Sequence, residues 1–97
     1  MEVRKTNEYR DWIDGFPDRV GRARVLVRIE RLILGNPGQH RVLTEGVHEL
    51  KVDHGPGYRV YYAWRGTRLL LLLAGGSKSS QKRDIARAIQ LNREIQD

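Results

Sequence analysis

Residues 46 to 65 read Gly-Val-His-Glu-Leu-Lys-Val-Asp-His-Gly-Pro-Gly-Tyr-Arg-Val-Tyr-Tyr-Ala-Trp-Arg. Side chains alternate faces along a strand, so a β-hairpin turned at His54-Gly55-Pro56-Gly57 puts Glu49, Lys51, Arg59 and Tyr61 on one face. Two cations, a carboxylate and a phenol together can grip a phosphodiester. Cleaving RNA without a metal requires a deprotonated 2′-oxygen, stabilisation of the charge on the pentavalent phosphorus, and a proton for the departing 5′-oxygen.

Roles follow from side-chain chemistry. Arg59 is the natural stabiliser, because its planar guanidinium holds two phosphate oxygens at once. The compatible short-loop register pairs Asp53 with Arg59, Val52 with Val60, Lys51 with Tyr61 and Leu50 with Tyr62. Lys51 and Arg59 are then diagonal neighbours, with Cα atoms roughly 7–8 Å apart. At about 7 Å and an effective dielectric of about 20 their repulsion is about 2.4 kcal/mol, too little to make Lys51 a base. Lys51 therefore reads as an electrostatic stabiliser or proton donor, and Glu49 as the better base of the hairpin. Tyr61 has two readings, stacking on an unpaired RNA base or packing against the last helix. His48 has the opposite parity, and His54, in the turn, reaches either substrate or only water. Lys78 and Lys82 are expected near the same groove, whose plainer reading is a solvated sheet surface with Asp53–Arg59 and Glu49–Lys51 pairs.

The elements that must position these residues are legible as patterns. Glu2 to Lys5 suits a short edge strand, Asn7 to Asp14 a first helix, and Gly15-Phe16-Pro17 a break. From Pro17 to Leu34, Val20, Ala23, Leu26, Val27, Ile29 and Ile33 recur at helical spacing, with Arg19, Arg22, Arg24, Arg28 and Arg31 on the other surfaces. Gly35-Asn36-Pro37-Gly38 stops that helix. Strands are expected near 47–53, 58–64 and 68–74. A final helix follows, capped by a Ser, with Ile85, Ala88, Ile89 and Ile95 facing inward. The predicted fold is one α+β domain over 1–97, of order βααβββα. An antiparallel sheet is packed by an N-terminal helical hairpin and a C-terminal helix.

Composition narrows the functions. The 97 residues carry 18 Lys plus Arg against 12 Asp plus Glu, a net charge of +6, which predicts a polyanion or an acidic protein as partner. Cysteine is absent, so disulfides and thiol chemistry are excluded, and the three histidines fit no common zinc spacing. No metal and no cofactor are expected. Ala74-Gly75-Gly76-Ser77-Lys78-Ser79 lacks the spacing of a Walker loop, which excludes an ATPase, although a strand-to-helix junction there could receive an RNA phosphate. The N-terminus is charged and the longest apolar run, residues 69–74, is far short of the about 20 residues of a membrane span. A cytoplasmic protein without membrane attachment is expected.

Four segments taken in order, Gly46-Val-His-Glu-Leu-Lys, Gly55-Pro-Gly-Tyr-Arg-Val-Tyr-Tyr, Gly75-Gly-Ser-Lys-Ser-Ser-Gln and Asp84-Ile-Ala-Arg-Ala, resemble the RelE/ParE superfamily of toxins. The HigB-like addiction module killer branch is the most similar, and the likeness extends to Trp12 and to Arg28-Ile-Glu-Arg-Leu. The resemblance implies a RelE-like fold and the toxin of a type II toxin–antitoxin system. Its partner would be an antitoxin encoded alongside, often with a helix-turn-helix domain, in a toxin–antitoxin hetero-oligomer. It also implies a metal-independent mRNA interferase acting on mRNA at the ribosome. On this pattern Lys51 and Arg59 take the basic positions of the central strands, and Lys78 the position after the last strand, joining Glu49 as the catalytic set; Tyr61, Lys82 and His54 are the expected RNA contacts. One difference stands out: several family nucleases carry a C-terminal Tyr or His-Tyr pair, and this chain has neither residue after Tyr62. Two other functions fit the same residues: a ParE-like DNA gyrase inhibitor that acts by binding, and a catalytically inactive module that binds the antitoxin.

Overall fold

The computed structural model describes residues 1–96. Strand β1 (Glu2–Lys5) leads into helices α1 (Asn7–Asp14) and α2 (Arg19–Ile33). Strands β2 (His40–Val42), β3 (Val47–Val52), β4 (Tyr58–Arg65) and β5 (Leu69–Ser77) follow, and a 3₁₀ turn (Lys78–Ser80) opens helix α3 (Gln81–Glu94). The strands form one sheet of order β1-β5-β4-β3-β2. No helix among the described residues is long and apolar enough to cross a membrane.

The helix starts follow local chemistry. Thr6 Oγ1 accepts the Tyr9 N–H at 3.0 Å and donates to the Leu73 carbonyl at 2.6 Å, so one side chain caps α1 and ties it to β5. Asp18 caps α2 by accepting the Gly21 N–H at 2.9 Å, and its other oxygen accepts from the Tyr58 hydroxyl at 3.1 Å. The serine before α3 behaves differently from expectation: Ser80 makes no capping bond and instead donates to Asp84 Oδ2 at 2.5 Å.

The α+β class holds, with two corrections to the predicted sheet. It is mixed, because β1 runs parallel to β5, pairing Glu2 with Leu69, and it has a fifth strand, β2, antiparallel to β3. The order is therefore βααββββα. All three residues of β2 are exposed, so no alternation of apolar residues marks it in the sequence.

Each sheet face carries its own core. Leu50, Val52, Val60, Tyr62, Leu70 and Leu72 pack with Tyr9, Ile13, Val25 and Ile29 of α1 and α2. Val47, Tyr61, Ala63, Leu71 and Leu73 pack with Ala88 and Leu91 of α3. A bulge between Tyr61 and Tyr62 resets β4 against β5 and lets Leu73 and Ala74 both serve the α3 side. The inward side of α2 also departs from expectation. Gly21, Val25, Ile29 and Leu32 are the buried residues, whereas Val20, Ala23 and Val27 face solvent. At 100° per residue, Val20 and Val27 lie almost opposite Val25 and Ile29, so the apolar positions of α2 form two stripes.

Gly75 and Gly76 belong to β5 itself, beyond the predicted strand end. A Cβ on Gly75 would stand 2.1 Å from the Trp12 ring, and one on Gly76 1.9 Å from Asp84 Oδ2. The glycines let Trp12 of α1 and the first turn of α3 lie directly on the strand.

Candidate functional site

The hairpin keeps its predicted parity but not its predicted register. Lys51 sits opposite Arg59, Glu49 opposite Tyr61 and Val52 opposite Tyr58, two residues away from the short-loop pairing. The turn is longer than supposed, closed by His54 N–H to Val52 O and Gly57 N–H to His54 O, with Gly55 and Gly57 at φ 54° and 79°. A shift of two preserves which face each side chain occupies. Lys51 and Arg59 are thus direct cross-strand partners, closer than the diagonal pair that had been expected.

Their face is not a solvated surface. α3 covers much of it, leaving Glu49 3% and Arg59 6% exposed, and Tyr61 fully buried. What stays open is a cleft of ≈ 430 Å³ lined by Gln39, His40, Arg41, Glu49, Lys51, Arg59 and Gln81. Three of these are cationic and one is anionic, so the cleft is net positive.

Glu49 is the hub. Its Oε1 accepts from Arg41 Nε at 2.7 Å and its Oε2 from Gln81 Nε2 at 2.9 Å, with Arg59 Nε 3.8 Å away. Burial alone would raise the Glu49 pKa, but the hydrogen bonds from Arg41 and Gln81 and the Arg41 charge outweigh it and hold the carboxyl below its ordinary range. Arg59 Nη1 donates to the Gly57 carbonyl at 3.0 Å, while its Nε has no hydrogen-bond partner. A buried guanidinium with an unmet donor beside an open cleft is a place for an anion.

The expected site residues divide sharply. Lys51, Arg59 and Glu49 meet in the cleft. Lys78 is not among the residues that line the cleft; its Cβ lies close to Gly57, whose carbonyl holds the Arg59 guanidinium. Lys82 lies elsewhere, in a shallow surface with Ser79 and Arg83 on the outer side of α3. His54 is drawn to the opposite face, with Nε2 3.3 Å from Asp18 Oδ2 and its ring stacked toward Tyr58. Tyr61 is beneath α3 and offers no ring to a base; its hydroxyl is buried without a hydrogen-bond partner, and burial and then Glu49 push its pKa up. His48 points the other way, stacked 5.1 Å from Tyr62, with its pKa lowered by burial and by His40.

Sequence reasoning missed Arg41, because it rides on the unrecognised strand β2. Its signal was positional: Thr44-Glu45-Gly46 can turn the chain back, which sets residue 41 opposite residue 49. Gln81, which completes the grip on Glu49, is the first residue of α3. Among the described residues no cluster of His, Asp and Glu is arranged to hold a metal ion.

Comparison with known proteins gives this geometry a relationship. The family described as phage-derived protein Gp49-like (DUF891) matches residues 11–93. A Haemophilus influenzae protein, described only as uncharacterized, is 35% identical over 95 residues, spanning 98% of this chain and 96% of its own length.

Proposed function

The chain belongs to the Gp49-like phage-derived family, a family of toxin–antitoxin type, and we propose that it is the toxin of a type II pair, an mRNA interferase that stops translation by cutting mRNA on the ribosome. The observation that carries this reading is the cleft in which Lys51 faces a nearly buried Arg59 beside Arg41.

In this reading a phosphodiester enters the cleft with its non-bridging oxygens on Arg59 and Arg41. Their fixed charge, partly withdrawn from water, meets the negative charge that grows as the 2′-oxygen attacks phosphorus. Lys51, alongside, gives its proton to the 5′-oxygen as that P–O bond breaks, leaving a 2′,3′-cyclic phosphate. Glu49 has both oxygens engaged and a depressed proton affinity, so its task is to aim Arg41 and Gln81 rather than to act as the base. With Glu49 engaged, the 2′-proton passes to the His40 imidazole, which lines the same cleft, or to an acceptor that comes with ribosome-bound mRNA. Lys78, outside the cleft lining and close to Gly57, steers the strand. An adjacent antitoxin would silence the protein in a hetero-oligomer.

The test is brief induction of the protein in cells, followed by primer extension on mRNA. New 5′ ends at codon boundaries are expected. They should vanish in Lys51→Ala and Arg59→Lys variants whose circular dichroism is unchanged. Intact mRNA together with trapped gyrase–DNA complexes would replace this reading with gyrase inhibition.

A further inference from the structure

The second apolar stripe of α2 has no function in the fold. Val20 is 58% exposed, Val27 46% and Leu34, at the C-terminal cap, 85%. Their spacing of seven advances only about 20° per step around a helix, so the three lie in a line, with Ala23 between the first two. A core would not leave them in water, and no other element among the described residues covers them.

Beside the stripe lies a groove of ≈ 480 Å³ whose lining includes Val20, Ala23, Arg24, Val27, Arg31 and Val52. The arginines of α2 are not equivalent. Arg28 is spent on the fold, its guanidinium donating to the carbonyls of Lys51, Pro37 and Gln39, and Arg22 donates to the Ile13 carbonyl. Arg24 and Arg31, about two helical turns apart on the flank of the stripe, are exposed, and among the described residues no hydrogen bond or ion pair engages their side chains.

We infer that this face of α2 docks an amphipathic helix of a partner protein, its leucine-like ridge lying along Val20, Val27 and Leu34 and its acidic flank pairing with Arg24 and Arg31. The alternatives fit less well. A second copy of this chain would bring Arg24 and Arg31 against the same arginines. A nucleic acid would find valines where it needs cations, with Glu30 and Asp53 at the borders. The surface is separate from the Lys51–Arg59 cleft and is independent of whether that cleft cuts RNA.

The probe is a synthetic helical peptide of eighteen residues with Leu at heptad positions a and d and Glu at e and g. Two controls accompany it, one with Lys replacing every Glu and one with Ser replacing every Leu. Calorimetry and backbone NMR shifts should show the acidic peptide binding at residues 20 to 34, and neither control binding. Val27→Asp, or Arg24→Glu with Arg31→Glu, should each weaken binding by at least about tenfold. All three positions are exposed, and unchanged circular dichroism confirms the fold of each variant. Four results would overturn the inference: no binding of the acidic peptide, equal binding of the serine control, displacement by an RNA oligonucleotide that shifts the same residues, or a dimer in sedimentation that Val27→Asp dissolves. Because each measurement is made on the purified protein without mRNA, its outcome is separable from the fate of the nuclease reading.

Discussion

The two faces of the β3–β4 hairpin are built from the same strands and obey different rules. Toward α1 and α2 the hairpin presents Leu50, Val52, Val60 and Tyr62 to an apolar core. Toward α3 it presents Val47, Tyr61 and Ala63, but also Glu49 and Arg59, both nearly buried. A core built for stability alone has no use for those charges, since a buried ion pair often contributes no more than apolar residues of the same volume. The first face therefore stabilises the sheet, and the second holds charge in a fixed geometry at the edge of water. That division teaches where to expect mutations to cost folding and where to expect them to cost chemistry.

The hardest test of the division is Leu72→Ala on the apolar face. It should cost about 2–5 kcal/mol, read from the midpoint of denaturant unfolding, while the folded fraction keeps its cleft geometry. Gly75→Ala should cost about 1–3 kcal/mol because the added methyl meets the Trp12 ring, and the same change in Trp12→Ala should cost much less. On the charged face, Glu49→Gln keeps the shape and removes the charge. Because the Glu49 pKa is depressed in the folded state, its contribution is complete above the ordinary value of 4.5 and is lost as pH falls through the folded value. The variant should therefore show a flatter decline of stability in acid than the parent and, on the proposed toxin reading, weaker growth arrest as Arg41 and Gln81 lose their anchor. A charged face that tolerated Glu49→Gln without change in either readout would erase the contrast.

A smaller effect belongs to the apolar face again. His48 has a lowered pKa, through burial and then through His40, so it favours the folded state fully above its ordinary value of 6.5 and loses that contribution as pH falls through its folded value. Thermal melts of the parent should shift downward on acidification from neutral pH, and His48→Phe should remove part of that shift. The smallest effect is Lys82→Ala, which lies outside the cleft and should leave stability and, on the proposed toxin reading, growth arrest unchanged.

Parity was readable from the sequence because it depends only on alternation, and alternation is local. Register was not, because it is set by the turn, and two glycines with positive φ allowed a longer turn than Gly55-Pro56-Gly57 suggested. The cleft was half legible for the same reason. Lys51, Arg59 and Glu49 announce themselves on one strand face, whereas Arg41 reaches them only through an exposed strand that leaves no hydrophobic trace. In α2, Val20 and Val27 share helical spacing with core residues, and spacing cannot say which of two apolar stripes the sheet receives. Tyr61 and His54 were assigned to RNA by residue type; α3 and Asp18 claim them instead.

The parallel pairing of β1 with β5 has a consequence in time. Glu2 meets Leu69, so β1 must wait for a partner 67 residues later in the chain, and Gln81, which helps set Glu49, comes later still. Contacts that distant close slowly and late in synthesis. A nascent chain carries Lys51 and Arg59 well before Gln81 can help hold Glu49 beside them.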